Sequence, residues 1–403
     1  MQARIMNIVG TLLMAINQWL QIILITRLLG LYEVGLFSYF LALTGPLVLF
    51  SRFTLARLLP TQRRLKYDYI IFKQFRTVTN YAFIIVSIIL MIFIDLGMYE
   101  KICFMIFIIF KYYENKEEFI YTENIAESRI LFLGQSKIIK SIVIIILFSI
   151  STFIFESLMM SITSLFIGQF LVYYFFDRKH SISIKNDWSS MTAAQFKNIF
   201  LLGFGLCVVE ILSSLSTNIP RYILEEFHSV EVLGIFATIM YFTVITNNIV
   251  MAINEGVIAN LSRESMASIR KFYRSFFKLC IMFSVLIIIG EIILILYGND
   301  IVILVYGSEF IGLEREMILL GVLLVFVVYS KILEMALSIL NLYKQLVFIQ
   351  MLTFVSTLVL SLIVIIPYGL TGAFIVAIIT LSLMVAGQIG VLIHHWQHQG
   401  QFE

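Results

Sequence analysis

The chain has 403 residues, of which 60% are hydrophobic and 13% charged, and its mean hydropathy is +0.98. Soluble domains carry roughly 45–50% apolar and about 25% charged residues, so an ordinary water-soluble fold is excluded and a polytopic membrane protein is expected. The net charge of +3 excludes little, because in such chains the position of each basic residue matters more than their sum.

A bilayer span needs about twenty predominantly apolar residues. By that measure the sequence predicts an all-α polytopic membrane protein with twelve transmembrane helices. They fall over 5–28, 34–54, 78–97, 101–123, 138–155, 157–176, 196–219, 231–255, 276–297, 317–340, 345–366 and 369–393. The first run is too long for a signal-peptide core and no small-residue cleavage site follows it, so it reads as a retained span. Cys103, Cys207 and Cys280 all lie inside apolar runs and read as small buried hydrophobes.

The basic residues fall on alternate connections. Arg4 precedes the first span. Arg52, Arg57, Arg63, Arg64, Lys66, Lys73 and Arg76 surround the link from the second to the third, and Arg129, Lys137 and Lys140 the link from the fourth to the fifth. Arg178, Lys179, Lys185 and Lys197 follow the sixth span, Arg263, Arg270, Lys271, Arg274 and Lys278 the eighth, and Lys344 the tenth. The other connections are mainly acidic, with Glu33, Asp95, Glu100, Glu156, Glu231, Asp300 and Glu309 among them. The basic side is expected to be cytoplasmic, which puts both termini inside. The stretch 262–278 reads equally well as an amphipathic helix on the inner surface or as a solvated loop.

Catalysis finds no support. The nucleotide-binding loop G-x-x-x-x-G-K-[ST] is missing from the sequence. His180, His228, His394, His395 and His398 lie in connections or near the C-terminus, without metal-ligand spacing. The expectation is a non-enzyme with no cofactor, no metal and no nucleic-acid partner.

What remains is charge inside the spans, which is costly in lipid and usually faces a bundle interior or a hydrated cavity. Arg27 closes the first span, roughly opposite the polar stripe of Asn7, Thr11, Gln18 and Gln21 on the same helix. Lys111, Glu114, Glu118 and Thr122 share one face of the fourth span, while Lys116, Glu117 and Glu123 point elsewhere. That half of the helix must therefore meet water or be wrapped by protein. In the seventh span Glu210, Ser214, Thr217 and Arg221 form one polar stripe, with Pro220 expected to kink or end the helix before Arg221. Lys331 and Glu334 in the tenth span repeat the i, i+3 spacing of Lys111 and Glu114. Either pair could simply neutralise itself or line a cavity. Gly45-Pro46 is expected to kink the second span.

Two hairpins echo one another. Arg27-Leu28-Leu29-Gly30-Leu31-Tyr32-Glu33-Val34-Gly35-Leu36-Phe37 joins the first two spans. Pro220-Arg221-Tyr222, eight residues of expected loop, then Glu231-Val232-Leu233-Gly234-Ile235-Phe236 joins the seventh and eighth. The echo implies an internal repeat of six spans, with lobes 1–185 and 186–403. An even number per repeat makes the copies parallel, with the substrate site at their interface.

The stretch Thr26-Arg27-Leu28-Leu29-Gly30-Leu31-Tyr32-Glu33-Val34-Gly35-Leu36-Phe37 resembles the start of bacterial polysaccharide-biosynthesis flippases of the multidrug/oligosaccharidyl-lipid/polysaccharide exporter superfamily. The second hairpin, from Ser216-Thr217-Asn218-Ile219-Pro220-Arg221 onward, is similar to that of O-antigen and capsule repeat-unit transporters. Tyr306-Gly307-Ser308-Glu309-Phe310 is similar to a turn of the same family. The resemblance implies an alternating-access transporter of the cytoplasmic membrane, in contact with membrane lipids and moving an undecaprenyl-pyrophosphate-linked oligosaccharide outward. A polysaccharide polymerase and chain-length machinery are then the expected partners. Cations suit a pyrophosphate headgroup, which makes Arg27, Lys111, Arg221 and Lys331 the candidate substrate contacts. Glu114, Glu210 and Glu334 are candidates for coupling or charge balance. A multidrug antiporter of the same fold remains open, and a polymerase, which needs a sizeable outer loop, is the weaker rival.

Overall fold

A computed structural model describes residues 2–59, 67–184 and 191–399. Arg63, Arg64, Lys66, Lys185 and the expected lobe boundary at 185/186 lie outside the described residues. Among those described there are twelve long helices and no strand. We number them α1 (Gln2–Leu29), α2 (Leu31–Arg52), α3 (Tyr69–Phe93), α4 (Met98–Ala126), α5 (Ile130–Phe155) and α6 (Leu158–Phe175), then α7 (Ala193–Phe227), α8 (Val230–Ala267), α9 (Ile269–Tyr306), α10 (Glu314–Ile339), α11 (Tyr343–Leu360) and α12 (Ile366–Gln399). Each corresponds to one expected span. Ten stretches are long and apolar enough to cross a membrane; α11 and α12 fall within one of them, and α4 is too charged to qualify.

The helices group into two compact units, 1–214 and 215–403. In the first, α1 lies along α5 with the backbones nearly touching. A Cβ at Gly134 would stand 2.6 Å from the carbonyl carbon of Met6, and one at Gly10 would stand 2.8 Å from Lys137 Cβ. Such small-residue contacts let dispersion act between helices when lipid removes the hydrophobic drive to associate. Polar groups add to it. Lys137 Nζ donates to Asn7 Oδ1 and Thr11 Oγ1, both at 3.0 Å, and Asn17 Nδ2 donates to the Ser141 carbonyl at 3.4 Å. Much of the polar stripe of α1 is thus spent on α5.

The second unit is centred on α10, flanked by α8, α9 and α12. Phe272, Phe276 and Phe283 of α9 bury against Ile332, Ala336 and Leu337 of α10 and Val385 of α12. The packing order of α2 to α6 recurs here. There α2 meets α3 and α4, α3 meets α4, and α4, α5 and α6 meet one another. In the second unit the same holds for the helices six places later. The internal repeat read from two short hairpins is therefore visible in how each unit is built.

Several local expectations are corrected. The second hairpin has no eight-residue loop: α7 runs through Pro220 to Phe227 and α8 starts at Val230. Ile223 and Leu224 are buried, so packing sustains the helix past a proline that removes only one N–H donor. Ser229 then caps α8, its side chain accepting from the Val232 amide. The first hairpin turns differently, at Gly30 with φ 97° and ψ −179°, a region essentially restricted to glycine. Gly307 adopts nearly the same conformation. The stretch 262–278 is neither a surface helix of its own nor a loop, but the end of α8 and the start of α9, parted at Ser268.

Substituting Gly134→Leu should force α1 and α5 apart at a cost of at least about 1–3 kcal/mol, the usual scale of overpacking. Gly290→Leu in α9, where a Cβ meets open space, should be tolerated. Thermal melting of the purified variants, followed by size-exclusion chromatography, reads the difference.

Candidate functional site

Charge is densest in the C-terminal half of α4. Asn115, Glu117 and the residues from Phe119 to Asn124 are buried there, so this half is wrapped by protein. Three faces of the helix solve the problem of buried charge separately.

Toward α2 and α3, Lys111 Nζ lies 2.7 Å from Glu114, and Arg52 reaches the same carboxylate at 3.6 Å. Arg52 Nε also donates to Asn115 Oδ1 at 3.2 Å. Asn115 and Ser51 in turn donate to Asn80 Oδ1, while Asn80 Nδ2 donates to the Tyr112 carbonyl. One turn further along α4, Arg76 of α3 pairs with Glu118, whose other oxygen accepts from Thr122 at 2.9 Å. Arg52 ends α2 because Phe53 and Thr54 both take left-handed backbone conformations, with φ 46° and 51°. Each carries strain of roughly 1–2 kcal/mol. Phe53 is held there by complete burial against Phe75, Phe200 and Gly203.

A second face carries Lys116, whose ammonium lies 4.5 Å from the ring centre of Tyr112, 5.6 Å from Tyr113 and 6.0 Å from Tyr173. On the third, Glu117 accepts from Lys140 of α5 at 2.5 Å, from Gln169 of α6 at 2.8 Å and from the Tyr121 hydroxyl at 2.6 Å.

The expected site residues divide by unit. In the first, Lys111 and Glu114 meet as their spacing suggests, and Glu210 pairs with Arg57 at 3.5 Å. Arg27 is exposed on the last turn of α1. In the second, Lys331 pairs with Glu334 at 2.9 Å, and Asn254 donates to the Lys331 carbonyl. Arg221 stays in the helical line of α7 and donates to Asn218 Oδ1 at 3.1 Å. All four candidate cations are thus ordered on helices.

Arg52, Arg57, Arg76 and Lys140, expected in basic connections, each form an ion pair within the first unit. Apolar runs alone do not single out Glu291, a carboxylate in the middle of α9. That side chain rests against Gly321 of α10, where a Cβ would collide with Oε2.

Comparison with known proteins places this architecture. The chain is 27% identical over 396 residues to a capsular polysaccharide biosynthesis protein, CapF, of Staphylococcus aureus, covering 94% of this chain and 95% of that one. Among solved structures it is similar to the lipid II flippase MurJ in an inward closed conformation. The TM-score is 0.78 at 16% identity, over 96% of this chain and 87% of that one. It is also similar to the Vibrio cholerae MATE transporter VcmN, with a TM-score of 0.62 at 14% identity, over 98% and 96% of the two chains. No family model matches. The chain shares the fold of these membrane transporters.

Breaking the Arg76–Glu118 pair should be costly, because Arg76 is only 3% exposed and its loss strands a charge. Arg76→Met is expected to destabilise by about 3–5 kcal/mol. The double variant Arg76→Met/Glu118→Met should recover a substantial part, as measured by reversible unfolding in detergent.

Proposed function

We propose that this protein flips an undecaprenyl-pyrophosphate-linked oligosaccharide repeat unit from the inner to the outer leaflet of the bacterial cytoplasmic membrane, for surface polysaccharide assembly. The observation that carries the reading is the likeness, along nearly the whole chain, to a capsular polysaccharide biosynthesis protein. The MurJ-like fold supports it. The chemistry is transport rather than catalysis.

A pyrophosphate headgroup bears charge that hydrocarbon cannot solvate. Cations held on apolar helices lower that barrier without requiring the headgroup to shed its charge. Lys111 and Lys331 each sit in a partly exposed ion pair with a carboxylate three residues on. Phosphate oxygens can replace that carboxylate at little net electrostatic cost. Arg27 and Arg221 offer planar, bidentate donors to the same headgroup or its sugars. Glu114, Glu210 and Glu334 each face a cation, and we assign them to charge balance while the cargo is absent. Lobes 1–185 and 186–403 alternate between inward-open and outward-open states, with both termini cytoplasmic. A polymerase and its chain-length machinery receive the flipped unit.

One second reading has an observation in its favour: the fold is also that of MATE transporters, which points to a cation-coupled multidrug antiporter. Deleting the protein separates the two. Loss of surface polysaccharide, with lipid-linked repeat units accumulating on the inner leaflet, is the expected result. Unchanged glycan with altered drug tolerance would favour the antiporter. In the complemented strain, Lys111→Met and Arg221→Met should each lower export about tenfold or more. A charge-assisted hydrogen bond contributes roughly 1.5–3 kcal/mol, and about 1.4 kcal/mol is tenfold. Variants that insert normally and restore full export would remove these residues from the site.

A further inference from the structure

A second charged cluster in the first unit takes no part in the proposed cargo site. Glu117 of α4, Lys140 of α5 and Asp177, in the single turn Asp177–His180 that follows α6, are 1%, 6% and 0% exposed. They are linked by hydrogen bonds. Lys140 Nζ lies 2.5 Å from Glu117 Oε2, and Tyr121 OH donates to Glu117 Oε1 at 2.6 Å. Tyr121 OH also meets Ser136 Oγ at 2.7 Å, and Ser136 Oγ donates to Asp177 Oδ1 at 2.5 Å.

The charges do not balance. With both carboxylates ionised, two negative groups share one ammonium in a site closed to water. Arg178, next to Asp177, is exposed and lies over the Tyr174 ring at 5.5 Å. The other titratable neighbours are Tyr173 of α6, His180 of the same turn and Glu114, which also acts on Lys140. None of these supplies a further positive charge inside the cluster.

Two polar atoms are also left over. Asp177 Oδ2 and Gln169 Oε1 have no hydrogen-bond partner, although Asp177 and Gln169 are both 0% exposed. The Gln169 amide already belongs to the cluster through its bond to Glu117, and Asp177 itself lies beside the Glu117 carboxyl. Two ionised carboxylates are acceptors only and cannot bond to each other. One acid proton turns either of them into a donor.

We propose that the Glu117–Asp177 pair is a binding site for a single proton, which neutralises the excess charge and ties α4 to the turn after α6. With the proton bound, the cluster holds one ion pair, Lys140 with a carboxylate, and one neutral acid. Without it, an uncompensated negative charge remains buried between α4, α5 and α6, and the three helices are driven apart. The stability that the proton confers is present at low pH and lost as pH rises past the point of its release. The site is independent of the cargo, so it stands or falls apart from the flippase reading.

Infrared difference spectroscopy on the full chain in detergent tests this, comparing neutral with alkaline buffer. The wild type should lose the carbonyl band of a protonated carboxylic acid at alkaline pH and melt at a lower temperature there. Asp177→Asn, which mimics the neutral acid, should lack that band change and keep one melting temperature at both pH values. If Asp177→Asn does not fold, Ser136→Ala, which removes the bond to Asp177 Oδ1, should shift the band. The proposal is overturned if the wild type shows no such band. It is equally overturned if the band and the melting shift persist in Asp177→Asn, or the band is unmoved in Ser136→Ala. Restoration of the alkaline wild type by sodium but not potassium would also overturn it, assigning the site to a metal cation instead.

Discussion

Charge that cannot reach water must find charge or donors inside the fold, and α4 shows how far that requirement shapes this protein. Between Lys111 and Glu123 the helix carries six acidic or basic side chains. None of its faces could lie against lipid. The first unit responds by placing a matching group on each neighbouring helix: Arg52 on α2, Arg76 on α3 and Lys140 on α5. Removing α4 would strand all three. This heavily charged helix is thus the one that fixes where its neighbours stand.

Around that core the packing relies on close approach. Gly10 and Gly134 bring α1 onto α5, and Lys137 then finds Asn7 and Thr11 within reach. In water those polar contacts would exchange with solvent at little gain; away from it, each group's alternative is to go unpaired. The second unit is built on aromatic and aliphatic burial about α10, with the Lys331–Glu334 pair on the same helix. The two units share a packing order but not a distribution of charge. A division of labour within the repeat would therefore have to be read from side chains rather than from topology.

Much of this was legible in the sequence. The twelve helices follow from apolar runs, and the repeat from two hairpins whose glycines and phenylalanines recur at matching places. The i, i+3 pairs Lys111–Glu114 and Lys331–Glu334 needed only helical geometry. What could not be read was partnership across helices. Glu210 suggested a stripe along α7 leading to Arg221, whereas its partner is Arg57, more than 150 residues earlier in the chain. Spacing within one helix carries no information about which neighbour faces it. Hairpin length misled for a related reason: nothing local announces that Ile223 and Leu224 will be buried and so prolong α7 beyond Pro220.

Exposure separates the lysines by what they can do. Lys331 and Glu334 are about a third or more exposed, and Lys111 with Glu114 somewhat less. Water still reaches both pairs, so exchanging the carboxylate for a phosphate trades one anion for another without opening the fold. Lys140 is different. Its side chain is 7% exposed against 1% for Glu117, and any anion other than Glu117 would have to displace Gln169 and Tyr121 as well. Such a pair is unsuited to cargo, which must bind and leave. It is suited to a group that enters through hydrogen bonds already in place. A proton does so: it adds no volume, needs no cavity, and passes between acceptors that already lie side by side.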